Sequence, residues 1–191
     1  MAKDMYEIRW HGRGGQGAKT AAALVAEVAL AEGKYSQGFP EYGPERMGAP
    51  IRGYTRIADR PIRVHSAIYY PDAVVVLDET IMDTVDVAEN LSDDGVVIVN
   101  TKRSPDEIKA KLSHQGAGVY LLDASAIALD EIGRNIPNTP MIGALVKASE
   151  RVKIETVLKD TEHKLSKKFP EKVVQGNLAA VKRGFEEVKK V

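Results

Sequence analysis

The stretch His11-Gly12-Arg13-Gly14-Gly15-Gln16-Gly17-Ala18-Lys19-Thr20 decides how this chain begins to fold. An alternating apolar run, Met5 to Trp10, precedes it and predicts a β-strand. The alanine-rich run from Gln16 to Ala31 predicts an α-helix. Glycine tolerates positive φ angles and close approach of a ligand, and the first N–H groups of a helix can bind an anion. The stretch therefore predicts a strand, a tight turn and a helix, with a candidate anion site at the turn.

Outward from this turn, strands and helices alternate to about residue 132. This alternation is typical of an α/β fold with a Rossmann-like, open, mostly parallel sheet and flanking helices. We expect residues 35–39 to form a strand that pairs in parallel with the first, and residues 51–58 and 62–64 to form an inserted β-hairpin. Further strands are expected at residues 72–77, 95–99 and 118–122, and helices at residues 81–89, from 104, and at 124–132, 140–148, 154–169 and 171–191.

The length and charge of the chain exclude several classes of protein. The 191 residues suit one domain, 1–191, with a core of about residues 5–150 and a C-terminal helical tail of about residues 151–191. Lys and Arg number 27 and so do Asp and Glu, so no net field attracts nucleic acid or a membrane. No segment approaches the ~18 apolar residues of a membrane span, and no signal-peptide pattern is present, so we expect a cytoplasmic protein.

The glycine turn is similar to two nucleotide-binding motifs but satisfies neither. Residues 12–17 match G-x-G-x-x-G, yet no acidic residue ends the second strand to hold a ribose. Ala18 separates Gly17 from Lys19, which moves the lysine about 100° around the helix from its Walker A position. A structural alternative is that the glycines only let the first helix pack tightly. Against it, Arg13 beside a helix N-terminus favours an anionic partner, a phosphate or a carboxylate of another chain.

Few other side chains indicate chemistry. His11 at a strand end is a candidate base, but the four histidines have no metal-ligand spacing. Asp78 follows a buried strand, where α/β folds bind ligands, although a helix N-cap is its simpler interpretation. The proline- and glycine-rich residues 39–50 form a long loop, and such loops are usually functional. No nucleophile with a paired base is evident, so we expect no catalytic residue in this chain.

Three motifs in order identify a family resemblance. They are His11–Gly17, then Glu41-Tyr42-Gly43-Pro44-Glu45-Arg46-Met47-Gly48, then Arg52-Gly53-Tyr54-Thr55-Arg56-Ile57, and residues 71–78 and 135–144 fit the same family. Over about residues 5–190 the chain resembles the gamma subunit of 2-oxoacid:ferredoxin oxidoreductases, most of all that of pyruvate:ferredoxin oxidoreductase (pyruvate synthase). A stand-alone Rossmann-like nucleotide-binding protein and the indolepyruvate oxidoreductase beta chain are the alternatives.

The resemblance implies a subunit of an enzyme that oxidatively decarboxylates pyruvate or another 2-oxoacid with coenzyme A, giving acyl-CoA, CO2 and reduced ferredoxin. It implies alpha, beta and delta partner subunits in a heterotetramer, with thiamine pyrophosphate and magnesium on alpha and beta. The 4Fe–4S clusters would lie on beta and delta, which agrees with the absence of cysteine here. This chain would bind none of these cofactors, no metal and no nucleic acid, and would be inactive alone.

The resemblance also suggests a place for the glycine turn. A gamma subunit would help to form the cleft that admits coenzyme A, with the turn and the long loop facing it. The residues expected to meet phosphates or carboxylates there are Arg13, Gly14, Gly15, Gln16, Gly17, Arg46 and Arg52. For Arg46 and Arg52, salt bridges between subunits without any ligand are the equally weighted alternative.

Overall fold

The computed structural model describes residues 5–41, 48–114 and 116–191. Its strands are β1 (Met5–Arg13), β2 (Tyr35–Pro40), β3 (Pro50–Ala58), β4 (Ala73–Val76), β5 (Val96–Asn100), β6 (Gly118–Leu122) and β7 (Lys189–Lys190). Its helices are α1 (Ala18–Ala31), α2 (Pro105–Lys109), α3 (Ala124–Ile132), α4 (Asn138–Ser149), α5 (Ile154–Ser166) and α6 (Glu171–Glu187), with a 3₁₀ helix at Glu79–Asp83.

All seven strands join one mixed sheet in the order β2-β3-β1-β4-β5-β6-β7. Strands β1, β4, β5 and β6 are parallel neighbours, whereas β3 pairs antiparallel with both β1 and β2, and β7 antiparallel with β6. The predicted α/β fold is confirmed.

The predicted pairing of the first two strands is wrong. Strand β3 lies between β1 and β2, so that Ala58 faces Met5 on one side and Tyr35 on the other. An antiparallel hairpin is present, but its strands are β2 and β3, and residues 62–64 form no strand. The nine residues of β3 pair along the whole of β1, and β2 forms the edge of the sheet beside β3.

Two other elements differ from their predictions. Residues 81–89 do not form an α-helix; a 3₁₀ turn spans Glu79–Asp83, and the Asp86 carboxylate accepts a hydrogen bond from the Ala88 N–H. Short polar side chains that bond the backbone in this way compete with helix formation. At the C-terminus, α6 ends at Glu187 instead of continuing to residue 191, and β7 extends the sheet beside β6.

The sheet separates two apolar layers. On one face, Ile8 and Trp10 of β1 pack in a cluster with residues of α1, α3, α4 and α6. On the other face, Val74 and Val76 of β4 pack in a second cluster with Ile108 of α2 and residues of the 3₁₀ helix. Because both faces of β4 and β5 are covered, these strands are continuous apolar runs instead of alternating ones. No helix among the described residues is long and apolar enough to cross a membrane.

Helices α4 and α6 meet at two glycines. A Cβ atom at Gly143 would lie 2.1 Å from the Val181 carbonyl oxygen, and one at Gly184 would lie 1.9 Å from the Pro140 carbonyl oxygen. Both obstacles are backbone atoms, which cannot rotate away as a side chain can. The close approach lets α6 bury Val174, Leu178, Ala180 and Val181 against the sheet-bound helices.

We expect Gly184→Ala to lower the free energy of unfolding by about 3 kcal/mol, because the helices must separate to admit the methyl group. Urea unfolding followed by circular dichroism measures the change, with the exposed Lys182→Ala on the same helix as the control. Helix propensity alone would make Gly184→Ala stabilising by about 1 kcal/mol, so an unchanged or raised stability contradicts the packing argument.

Candidate functional site at the carboxyl edge of the sheet

The parallel strands β1, β4, β5 and β6 end at one edge, where open α/β sheets bind ligands. A cleft of about 280 Å³ lies at this edge. Gln16 of the glycine turn lines it together with polar residues that follow three successive strands: Asp78, Thr101 and Asp123. The structure thus places the turn beside the one edge where the fold predicts a binding site.

Internal contacts involve two of the glycines in the turn. Strand β1 extends to Arg13, and α1 begins at Ala18, with Gly17 as its N-cap at φ 84°. A Cβ atom at Gly17 would lie 2.5 Å from the Asn138 Nδ2 atom. The Gly14 N–H donates to the Ala49 carbonyl at 3.0 Å. Gly15, by contrast, has φ 98° and open space where a side chain would stand, so it is the exposed point of the turn.

Gln16 fastens the turn to the end of β4. Its Oε1 atom accepts a hydrogen bond from the Arg13 N–H at 2.7 Å, and its Nε2 atom donates to Asp78 Oδ2 at 2.8 Å. The side chain therefore links both sides of the turn to Asp78 and holds it in one shape.

Arg13 already has an anionic partner, and this partner belongs to the same chain. Its Nε atom lies 3.2 Å from Asp78 Oδ2, and its Nη2 atom donates to Thr80 Oγ1 at 2.7 Å. A third contact runs from Nη1 to the Gly48 carbonyl at 3.2 Å. The cation that sequence reasoning assigned to a phosphate or to another chain's carboxylate is thus neutralised internally, although 30% of its side chain stays exposed.

Asp78 is the centre of this arrangement. Its carboxylate caps the 3₁₀ helix by accepting from the Thr80 N–H at 3.0 Å, as the N-cap interpretation predicted. Burial alone would raise the pKa of Asp78, but the hydrogen bonds from Thr80 and Gln16 and the charge of Arg13 outweigh burial and hold it below its usual value. The carboxylate is therefore ionised across the neutral range.

Other cations at this edge are also paired. Arg103 Nε lies 3.1 Å from Glu79 Oε1, and Lys102 Nζ lies 3.6 Å from Asp123 Oδ2. The Lys102 side chain is 74% exposed, which makes its ion pair weak and its ammonium group available to a ligand. Sequence reasoning did not single out Lys102. Its position just after a buried strand is the signal that could have marked it as a candidate site residue.

Asn100, another residue that sequence reasoning missed, stiffens the floor of the cleft. Its Nδ2 atom donates to the Leu77 carbonyl and to Ser125 Oγ, both at 2.9 Å, and its Oδ1 atom accepts from the Ser125 N–H at 3.1 Å. These bonds tie the ends of β4 and β5 to the start of α3.

Arg52, another predicted site arginine, does not join the Gln16–Asp78 arrangement. Arg52 lies on β3 opposite His11, and its Nη1 atom is 3.6 Å from Glu41 Oε2, which also accepts from the Tyr54 hydroxyl at 2.8 Å. The ion pair of Arg52 is thus internal to the chain, with 38% of the side chain exposed. Arg46 and the rest of residues 42–47 lie outside the described residues.

His11 is a poor general base in this structure. The residue is 2% exposed, and burial, followed by the charges of Arg9 and Arg52, lowers its pKa to about 3. Such an imidazole stays neutral but binds a proton too weakly to remove one from a substrate near pH 7. Within residues 5–41, 48–114 and 116–191, no group of three His, Asp or Glu side chains is placed to hold a metal ion.

Because the pKa of His11 is lowered, the unfolded chain binds a proton below pH 6.5 while the folded chain does not. Stability from this group is complete above pH 6.5 and falls as the pH drops toward 3, by about 2 kcal/mol between pH 8 and pH 5. Urea unfolding at pH 8 and pH 5 measures this effect. In His11→Asn, the difference in the free energy of unfolding between the two pH values should be smaller than in wild type by that amount. The exposed His163→Asn serves as the control, and an equal pH dependence in His11→Asn and wild type would exclude a buried neutral His11.

We expect Asp78→Asn to lower the free energy of unfolding by about 2 kcal/mol at pH 7, since it loses the charge-assisted hydrogen bonds from Thr80 and Gln16 and the ion pair with Arg13. Because the folded pKa is below the usual carboxyl value, this contribution disappears as the pH falls through that lowered pKa. Chemical denaturation at pH 7 and pH 3 checks both points, with Asp93→Asn in an exposed loop as the control. If wild type and Asp78→Asn differ in free energy of unfolding as much at pH 3 as at pH 7, the electrostatic explanation is wrong.

Comparison with known proteins agrees with this architecture. Residues 7–187 match the family model of pyruvate ferredoxin/flavodoxin oxidoreductase. A pyruvate synthase subunit PorC from Thermotoga maritima is 50% identical over 189 residues, covering 99% of this chain and 97% of the relative. A pyruvate/ketoisovalerate oxidoreductase common subunit gamma from Pyrococcus abyssi is 48% identical over 185 residues, covering 95% and 96%.

A solved structure extends the match to three dimensions. The crystal structure of pyruvate oxidoreductase subunit PORC from Thermotoga maritima superposes with a TM-score of 0.88 at 45% identity, covering 98% of this chain and 99% of that chain. Since the family model and these relatives span nearly the whole chain, the chain belongs to the pyruvate ferredoxin/flavodoxin oxidoreductase family, where its similarity is to the gamma (PorC) subunits.

Proposed function

We propose that this chain is the gamma subunit of a complex that oxidatively decarboxylates pyruvate, or another 2-oxoacid, with coenzyme A to give acyl-CoA, CO2 and reduced ferredoxin. The near full-length similarity to PorC and gamma subunits supports this proposal. The chain acts as one gamma-type domain, residues 1–191, in the cytoplasm, and alpha, beta and delta subunits complete the heterotetramer.

The chemistry belongs to the other subunits in this proposal. Thiamine pyrophosphate with magnesium lies on alpha and beta, and the 4Fe–4S clusters that pass electrons to ferredoxin lie on beta and delta. A chain without cysteine has no thiolate to hold such a cluster. The isolated gamma chain is therefore inactive, and its contribution is to assemble the complex and to shape access to the reaction.

We further propose that the glycine turn forms one wall of the coenzyme A cleft. The carrying observation is that Gln16 lines a cleft at the carboxyl edge of the sheet. At about 280 Å³, this cleft is at the lower end of the range for ligand pockets, so a second subunit would have to complete it. Arg13, Gly14, Gly15, Gln16, Gly17, Arg46 and Arg52 are the residues to which we assign contact with coenzyme A.

The N-terminus of α1 and the nearby cations suit an anionic, phosphate-bearing ligand, whereas the carboxylates of Asp78, Glu79 and Asp123 that also line the cleft oppose one. The N-terminus of α1 follows the turn directly, and its first N–H groups and dipole favour negative charge. Exposed Gly15 permits close approach, and Gln16 with Asp78 keeps the turn rigid. A phosphate group near Arg13 would share the guanidinium with Asp78, and the exposed Lys102 would add a second cation.

The test uses the reconstituted holoenzyme with Arg13→Ala, Arg46→Ala or Arg52→Ala in this subunit. We expect each substitution to raise the KM for coenzyme A about tenfold, with little change in kcat or in the KM for pyruvate, because each arginine would only bind the substrate. Arg151→Ala is the matched control, since Arg151 stacks on the Tyr6 ring at the start of β1, at the opposite edge of the sheet.

An unchanged KM for coenzyme A in an intact complex would exclude the cleft role while leaving the assembly role.

Calorimetry on the isolated chain tests the alternative of a stand-alone nucleotide-binding protein. Tight binding of ATP or NAD by the chain alone would favour that alternative over a subunit role.

A further inference from the structure

The connection between β3 and β4 crosses the sheet without forming a helix or a strand. Its central part, residues 60–70, reads Arg-Pro-Ile-Arg-Val-His-Ser-Ala-Ile-Tyr-Tyr, and we call it the 60–70 segment. A long connection without regular structure is either poorly ordered or held for a purpose. The contacts of this segment decide between these possibilities.

A buried arginine holds the segment in place. Arg56 of β3 is 1% exposed, and its Nη2 atom donates to the Ser66 carbonyl at 2.7 Å and to the Ala67 carbonyl at 3.2 Å. Its Nε atom pairs with Glu7 at 2.9 Å, so the charge is neutralised. Ile68, 2% exposed, anchors the segment in the interior. The backbone is therefore ordered before any partner binds, which reduces the entropic cost of binding.

Apart from Ile68, the large apolar side chains of the segment include several that are exposed to solvent. Tyr69 is 62% exposed, Tyr70 67% and Val64 44%, so three large apolar side chains are exposed within seven residues. Tyrosine and other aromatic residues are enriched at protein–protein interfaces because they bury much area at low conformational cost. Clustered exposure of this kind on a preformed backbone indicates a surface that another molecule covers.

A groove of about 540 Å³ lies along the first half of the segment, and Val64 is one of the residues that line it. Met5 and Ala58 form its sheet side, and Pro61, Ile62 and Val64 form its segment side. Arg60 and Arg63 also line it, and the acidic residues nearest in sequence are Asp59, just before the segment, and Asp72, just after it. The groove thus combines an apolar floor with cations, which fits an apolar anchor residue flanked by carboxylates.

We propose that the 60–70 segment and its groove dock an acidic segment, carrying an apolar anchor residue, of another subunit of the same oxidoreductase. This inference rests on the proposed function, since it requires a multi-subunit complex. A second copy of this chain is a poorer occupant, because a two-fold contact of this surface with itself would bring two arginine-bearing surfaces together. The cations set the orientation and rate of docking, and the tyrosines and the groove supply most of the affinity.

The test measures association of this chain with its partner subunits by sedimentation velocity, without coenzyme A. We expect the double variant Tyr69→Ser/Tyr70→Ser to weaken association at least about tenfold. Arg63→Glu should weaken it at low salt and reduce its dependence on ionic strength. Leu30→Ser is the matched control, because Leu30 is equally exposed, at 62%, but lies on α1. Unchanged thermal unfolding of each isolated variant verifies that it folds.

Three outcomes would overturn the proposal. The first is that the double tyrosine variant binds the partner subunits with wild-type affinity. The second is that Leu30→Ser loses as much affinity as the double variant. The third is that the isolated wild-type chain self-associates and the double variant does not, which would identify a second copy as the occupant. Failure of the proposed function is distinguishable, because the wild-type chain would then form no complex with the partner subunits at all.

Discussion

The charged face of β1 is the constraint on which much of this structure depends. Glu7, Arg9 and His11 alternate with Ile8 and Trp10 along a strand that is paired on both edges and covered on both faces. A buried charge is tolerated only when it is paired or hydrogen-bonded. Glu7 pairs with Arg56, Arg9 donates to the Val87 and Glu89 carbonyls at 3.0 and 2.7 Å, and His11 stays neutral.

These polar contacts position the irregular parts of the molecule. Arg56 draws the 60–70 segment over the sheet, and Arg9 does the same for residues 87–89. Arg13, the next residue on this face, links the glycine turn to Asp78 and Thr80 at the end of β4. One row of side chains on a central strand thus controls both the candidate cleft at one edge and the proposed docking surface over the face. Changes in this row would alter both.

Most elements that depend on interactions between near neighbours in the sequence were predicted correctly, and those that depend on distant residues were not. The strand at residues 118–122 and the helix at 124–132 were predicted with their correct bounds, because apolar runs are local signals. The position of β3 in the sheet was not predicted correctly, because its register against β1 depends on pairing between residues about 40 to 50 positions apart. The glycine motif indicated the edge of the sheet at which the candidate cleft lies, but not that Asp78 already neutralises Arg13.

By itself, the sequence determined the alternation of elements, the strand–turn–helix at residues 11–20, the lack of thiolate ligands and, through its motifs, the family. Only the tertiary structure decided the strand order, the burial of His11 and the partners of Arg13, Arg52 and Arg56. The reason is physical: helix and strand patterns follow from neighbours a few residues apart, as with the Ser104 cap and Pro105 that begin α2. The charge state and accessibility of a side chain follow from groups that are distant in sequence, as Asp78 is from Arg13.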